Sequence, residues 1–192
     1  MGRIEMPSYK VIRRSGPIEV RGYSPVLSAE VEVDGERSKA INAGFRLLAD
    51  YIFGNNEPKK AIAMTAPVIQ QKGQKIAMTA PVVQSKAGQL WKVRFTMPSC
   101  YTPESLPKPN NPRIRIVPMP VWRAVVLRFS GSWTEGNWRK HLSRLDAFVK
   151  KEGLVVGGEP VYLFYNPPWT LPFLRRNEIS YTLADGHGED SP

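Results

Sequence analysis

The sequence predicts an α+β fold made of a ββαββ unit used twice, with two antiparallel sheets each covered by one helix. Three observations predict it. Short apolar runs alternate with polar residues, two longer stretches carry helical periodicity, and the first half of this pattern returns half a chain later. A helix with one apolar stripe has to bury it, and the face of a sheet is the surface that lets it do so.

The internal match sets residues 18–35 against 114–131 without a gap. Each copy reads as a short strand, a proline-containing turn and a longer strand ending in Asp34-Gly35 or Ser130-Gly131. In the first copy Leu27, Ala29, Val31 and Val33 alternate with Ser28, Glu30 and Glu32, the period of a strand with one buried face. Val125, Leu127 and Phe129 hold the same phase in the second.

A helix follows each pair of strands. Over 37–53, Ile41, Phe45, Leu48 and Ile52 make one apolar stripe, with Asp34 or a neighbour as cap and Gly54-Asn55-Asn56 as the stop. Over 134–151, Trp138, Leu142, Leu145 and Val149 repeat the spacing, and Gly153 ends the helix. Further strands are expected at 62–70, 76–84 and 90–97, then at 161–165 and 178–183. This gives a single domain over 1–183 with pseudo-repeats at about 9–98 and 113–183. Pro103, Pro107, Pro109 and Pro112 make 99–112 an extended, exposed linker, and the acidic 184–192 reads as a flexible tail.

Composition narrows the function classes. At 42% hydrophobic residues the chain can bury a core, which excludes a disordered protein. The single cysteine, Cys100, excludes an internal disulfide and any cysteine-based zinc or iron–sulfur cage. Two histidines, His141 and His187, leave little for a metalloenzyme. Gly-x-Ser-x-Gly, P-loop and Gly-x-Gly-x-x-Gly patterns are all absent. A binding domain is therefore expected before an enzyme.

The net charge of +10 is spread along the chain, apart from a basic face of Arg139, Lys140, Arg144, Lys150 and Lys151 on the second helix. Without a nucleic-acid module, this reads as a solvated surface that also attracts anionic ligands. The sequence has no apolar run of about 20 residues, the length a membrane span needs, and no signal peptide at its start. The expectation is a soluble monomer, cytoplasmic by default, with an extracytoplasmic domain lacking its anchor as the alternative.

One feature is far more specific. Ile62-Ala63-Met64-Thr65-Ala66-Pro67-Val68-Ile69-Gln70 recurs as Ile76-Ala77-Met78-Thr79-Ala80-Pro81-Val82-Val83-Gln84, fourteen positions on with one conservative change. The copies could pair as a hairpin, with Pro67 and Pro81 at bulges, edges or strand ends because proline cannot donate to a ladder. This Met-Thr-Ala-Pro-Val block follows a helix ending in Asp50-Tyr51-Ile52-Phe53-Gly54-Asn55-Asn56. Later comes Tyr165-Asn166-Pro167-Pro168-Trp169, then Arg175-Arg176-Asn177-Glu178. Together with Tyr9-Lys10-Val11-Ile12-Arg13-Arg14 and Ile18-Glu19-Val20-Arg21-Gly22-Tyr23, these blocks resemble the SOUL haem-binding protein family from about Tyr9 to Leu183. The doubled block is similar to bacterial members.

The resemblance implies a distorted antiparallel β-barrel or pair of twisted sheets flanked by two helices, with internal duplication. It also implies a haem or tetrapyrrole ligand in an apolar cleft on the first helix, closed by the Pro-Pro loop. Carried onto this sequence, the helix positions are Asn42, Phe45, Ala49 and Asp50, and the largest apolar loop positions are Trp169, Leu171 and Phe173. Family haem binders place basic and methionine side chains at those helix positions, and this chain does not.

A tetrapyrrole is a flat apolar disc with carboxylates, so it calls for an apolar slot, basic groups and, optionally, an axial ligand. Lys39, Arg46, Arg175 and Arg176 are the candidate partners for its carboxylates, though Arg175 and Arg176 could instead pair with Glu178. His141, Met64 and Met78 are weak axial candidates, with Cys100 and nearby tyrosines behind them. Two other functions stay open: a binding domain for flat hydrophobic ligands without haem selectivity, and a weak hydrolase or tetrapyrrole-modifying enzyme of the gyrase-inhibitor-like fold.

Overall fold

The computed structural model describes residues 5–57, 74–166 and 169–184. In chain order the elements are β1 (Tyr9–Ser15), β2 (Ile18–Tyr23), β3 (Val26–Val33), α1 (Arg37–Ile52), β4 (Asn56–Glu57), β5 (Val82–Ala87) and β6 (Leu90–Thr96). There follow β7 (Lys108–Pro109), β8 (Arg115–Met119), β9 (Trp122–Phe129), α2 (Glu135–Lys151), β10 (Val156–Phe164) and β11 (Asn177–Leu183). Both helices fall within a residue of the predicted spans. The chain forms two compact units, one of residues 1–7 and 25–119, the other of 8–24 and 120–192.

In the first unit β5, β6, β3 and β8 make an antiparallel sheet in that order, and α1 packs on β3 and β6. Its core joins Ala29, Val31 and Val93 from the strands to Leu48, Tyr51 and Ile52 from the helix. The contact stripe is shifted from the predicted one. Ala40, Gly44, Leu48 and Tyr51 are buried, and Phe45 sits at the margin, edge-on to Phe95. Small residues at the closest approach explain the shift, because a Cβ at Gly44 would stand 2.7 Å from Val93 Cγ2.

The α1 cap is Glu36, whose carboxylate accepts from the backbone N–H of Ser38 and Lys39, while Asp34 instead accepts from the N–H of Gly35. Gly54, with φ of 122°, turns the chain away after the helix.

Two expectations for this unit change. The strand expected at 76–84 starts only at Val82, after Pro81. Before it, Ile76 is buried and bonds back to the Ile52 carbonyl, and the Thr79 hydroxyl caps the Thr96 carbonyl. The first copy of the block, 62–70, lies outside the described residues. The proline-rich 99–112 stretch is docked as well as exposed. Leu106 is 1% exposed, the buried Tyr51 hydroxyl donates to the Pro107 carbonyl at 2.7 Å, and β7 pairs with β4.

In the second unit the antiparallel order is β1-β2-β9-β11-β10, and α2 packs on β9 and β11. Trp138 anchors α2, meeting Phe129, Tyr162 and Phe164 edge-on. The β1–β2 hairpin pairs with β9 here, so the compact units do not follow the repeats read from the sequence. Neither sheet closes on itself. The antiparallel α+β class with two helices holds, and the barrel form that the resemblance implies does not.

Candidate functional site

The segment between β10 and β11 has a fixed base and an apolar crest. At the base the Tyr165 hydroxyl donates to Glu178 Oε2 at 2.8 Å, and the Arg176 N–H donates to Asn166 Oδ1 at 2.6 Å. The Gly131 N–H donates to the Pro172 carbonyl at 2.9 Å. Arg175 Nε donates to the Thr170 carbonyl at 2.7 Å, with the guanidinium 4.4 Å from the Trp133 ring centroid. Above this base the large apolar side chains point to solvent. Trp169 is 82% exposed and Phe173 69%, with Leu171 and Leu174 also exposed. Four exposed large apolar side chains within six residues make this segment a candidate contact site.

Beneath Phe173 and Leu174 lies a cavity of about 570 Å³, within the range of small-molecule sites. The β1–β2 turn (Gly16, Pro17), the end of β9 (Arg128 to Ser130) and residues 173–176 wall it. Four arginines, Arg14, Arg128, Arg175 and Arg176, line it against one carboxylate, Glu19. Arg14 pairs with Glu19 at 2.6 Å. The exposed Arg128 side chain has no partner among the described residues, while its backbone N–H donates to the Pro17 carbonyl at 3.0 Å.

Arg176 joins this cavity to a buried ionic cluster. Arg21 and Glu178, from β2 and β11, meet through two hydrogen bonds, and Arg176 donates to the same carboxylate. Arg21 also donates to Glu19 and to the Tyr23 hydroxyl, and its guanidinium lies 4.3 Å from the Tyr9 ring centroid. Burial favours the neutral form of Arg21, but Glu178 outweighs it and raises the guanidinium pKa further. Burial pushes the Tyr23 phenol up to about 12 despite Arg21, and burial followed by Glu178 raises that of Tyr165. For Glu19, Arg21 and Arg14 outweigh burial and hold the carboxyl below the usual range.

The pairing of Arg176 with Glu178 was one of the two roles open in the sequence. Arg21 was missed. Its signal was the period-two run Glu19, Arg21, Tyr23, which puts three polar groups on one face of β2.

The helix positions belong to the first unit and the loop positions to the second. On α1, Asn42 and Asp50 are exposed, Phe45 is 38% exposed and Ala49 is half-buried. Lys39 and Arg46 are exposed nearby in sequence. Asp50 is engaged locally, accepting from Asn55 Nδ2.

Of the axial candidates, Met64 lies outside the described residues, while Met78 and Cys100 are exposed. His141 stacks on Phe129 at 4.0 Å, with its Nδ1 buried and unpartnered. Burial, then Lys140 and Arg144, lower its pKa and keep the ring neutral. Among the described residues no group of three or more His, Cys, Asp or Glu is set to hold a metal ion. No described helix is long and apolar enough to cross a membrane.

Comparisons with known proteins bear on the fold and the family. Two solved structures share the fold. The EcmrR C-terminal domain has a TM-score of 0.62 at 11% identity, covering 93% of this chain and 99% of that one. A hydrolase from Listeria innocua has a TM-score of 0.54 at 11% identity, covering 90% and 94%. At such identities the likeness is one of fold alone.

Heme-binding protein 2 of Mus musculus is 26% identical over 184 residues, covering 92% of this chain and 84% of its own length. The Homo sapiens protein of that name is 27% identical over 186 residues, with the same coverage. The family model described as SOUL heme-binding protein matches residues 4–74 and 69–182, two pieces that overlap at 69–74, between the two copies of the Met-Thr-Ala-Pro-Val block. With that model spanning nearly its whole length, the chain belongs to the SOUL haem-binding protein family.

Proposed function

We propose that this protein binds haem or a related tetrapyrrole reversibly, as a carrier, buffer or sensor, and acts as a binding protein rather than an enzyme. Family membership and the relatives' names support a tetrapyrrole ligand. The observation that carries the reading is the solvent-facing crest of Trp169, Leu171, Phe173 and Leu174 on a rigidly anchored base. Covering such side chains is worth about 25 cal/mol per Å² of apolar surface removed from water.

Haem supplies a flat apolar disc, two carboxylates and an iron. The crest offers the disc Trp169, Leu171 and Phe173. On α1, where the family resemblance puts the ligand, Asn42, Phe45 and Ala49 form a second set of contacts for separate testing. Contacts from the exposed apolar side chains do not depend on a metal, which favours a permissive variant of the reading, in which metal-free porphyrins and other flat hydrophobic ligands also bind.

Titration with hemin tests the proposal. A Soret shift that saturates at one equivalent is expected, together with competition by metal-free protoporphyrin. A Trp169→Ala/Phe173→Ala double variant should bind at least about tenfold more weakly, since even partial covering of the two aromatics together contributes more than about 1.4 kcal/mol. An unchanged hemin spectrum in the presence of the protein overturns the reading. Turnover of bound haem to a new pigment under reducing conditions would make the protein an enzyme.

A further inference from the structure

We propose that the cavity walled by the β1–β2 turn, the end of β9 and residues 173–176 is a carboxylate-binding subsite. The ligand held on the 169–174 crest would then be selected by its free acid groups and not by its metal. This rests on the tetrapyrrole reading above.

Charge is the first argument. Among the described residues, the cavity and the cluster joined to it through Arg176 hold five arginines, Arg14, Arg21, Arg128, Arg175 and Arg176, against two glutamates, Glu19 and Glu178. Both carboxylates are already shared, Glu19 between Arg14 and Arg21, and Glu178 between Arg21 and Arg176. An excess of guanidinium around a concave space favours an anion, and a guanidinium matches a carboxylate with two parallel donors.

Shape is the second argument. Gly16 lies at the turn with φ of 57°, and a Cβ there would meet nothing within 4 Å, so the turn leaves room at that wall. Arg128 extends from a strand end whose backbone is fixed to Pro17 and carries no competing partner among the described residues. Ser130 adds a hydroxyl to the lining.

Continuity is the third. Phe173 and Leu174 line this cavity and also form part of the apolar crest. A ligand lying on the crest therefore meets the basic cavity at its edge. The fitting chemistry is a flat apolar body with carboxylates at its rim.

The experiment compares protoporphyrin IX with its dimethyl ester, which has the same ring but no acid groups. Quenching of protein tryptophan fluorescence reads binding of both, and the absence of iron removes axial ligation from the comparison. The wild-type protein should prefer the acid by about tenfold at low salt, the scale of one charge-assisted hydrogen bond. Raising sodium chloride to 0.5 M, about three times physiological ionic strength, should shrink that preference, because exposed pairs are screened. Arg128→Gln should shrink it as well while leaving the ester's affinity unchanged. If the variant fails to fold, the wild-type ratio and its salt dependence decide alone.

Equal binding of acid and ester overturns the subsite and leaves the tetrapyrrole reading standing. So does a full acid preference retained by a folded Arg128→Gln variant. If neither compound binds, the tetrapyrrole reading falls and the subsite falls with it.

Discussion

Arg21 of β2 and Glu178 of β11 meet head-on, Nη1 to Oε2 at 2.8 Å and Nη2 to Oε1 at 3.0 Å, with both side chains almost wholly removed from water. Removing one member strands the other as an uncompensated buried charge, at a cost of about 3–5 kcal/mol. Glu178→Leu would also deprive Tyr165 and Arg176 of their acceptor. The expected outcome is that Arg21→Met and Glu178→Leu are each severely destabilising, and that the double variant loses less than the two losses added together. Urea unfolding of the four proteins in the cycle measures this coupling. Simple additivity would mean that the pair contributes nothing through its mutual contact.

Fold was more legible than site, for a physical reason. Periodicity reports which face of an element is apolar, so Val31 and Val125 on their strands, and Leu48 and Leu145 on their helices, could be placed in the cores in advance. Periodicity is silent where contact is made by residues with little side chain, which is why Gly44 and Ala40 went unnoticed on α1. It also misleads where a charge is buried, because Arg21 has the sequence appearance of a surface residue until its partner on a distant strand is known. The family resemblance singles out Trp169 and Phe173 as loop positions closing a cleft, but their exposure is not in the sequence. Propensity alone would have buried both aromatics.

Gly44 tests the close approach of helix to sheet. Alanine there gains about 1 kcal/mol of helix propensity. Against this, the new methyl would stand 2.7 Å from Val93 Cγ2 and 3.3 Å from Val31 Cγ1. Both neighbours are stiff β-branched residues in a packed core, and overpacking such a site costs about 1–3 kcal/mol. Gly44→Ala should therefore lower the melting temperature, whereas Gly136→Ala, which meets nothing within 4 Å, should not. A melting temperature for Gly44→Ala above that of the parent would show that the neighbouring valines yield to the new methyl and that the helix propensity gained prevails.

The depressed pKa of His141 makes a pH prediction with a definite sign. The unfolded chain takes up the proton near pH 6.5, the usual value for histidine. The folded protein takes it up only at lower pH, because burial and then Lys140 and Arg144 oppose the charge. The unfolded state thus binds more protons in that interval, and stability falls as pH drops through it. His141→Phe keeps the stack on Phe129 and cannot titrate, so its loss of stability over the same interval should be smaller. A further loss common to both proteins should follow at lower pH, where Glu19 and Glu30 take up protons. Burial opposes ionisation of these two carboxyls, but Arg21 and Arg94 hold them below the usual range. Melting temperatures between about pH 7.5 and 3 separate the two steps.

The apolar crest is only as well placed as the bonds beneath it, and these converge on Asn177. Its side-chain carbonyl accepts from Trp133 Nε1 at 2.9 Å, and its Nδ2 donates to the Gly131 carbonyl at 3.1 Å. Gly131 in turn holds the Pro172 carbonyl, and Trp133 carries the Arg175 guanidinium on its ring. Asn177→Leu fills the same space but takes the partner from two half-buried groups, Trp133 Nε1–H and the Gly131 carbonyl, at a cost of up to about 1–3 kcal/mol each. Residues 169–176 should then exchange amide hydrogens faster while Trp169, Leu171 and Phe173 remain chemically intact. Porphyrin affinity should fall with that protection, because the ligand would have to order the loop before gaining its contacts. Faster exchange with undiminished affinity would show that the crest binds by adapting to its ligand and that its anchored base serves stability alone.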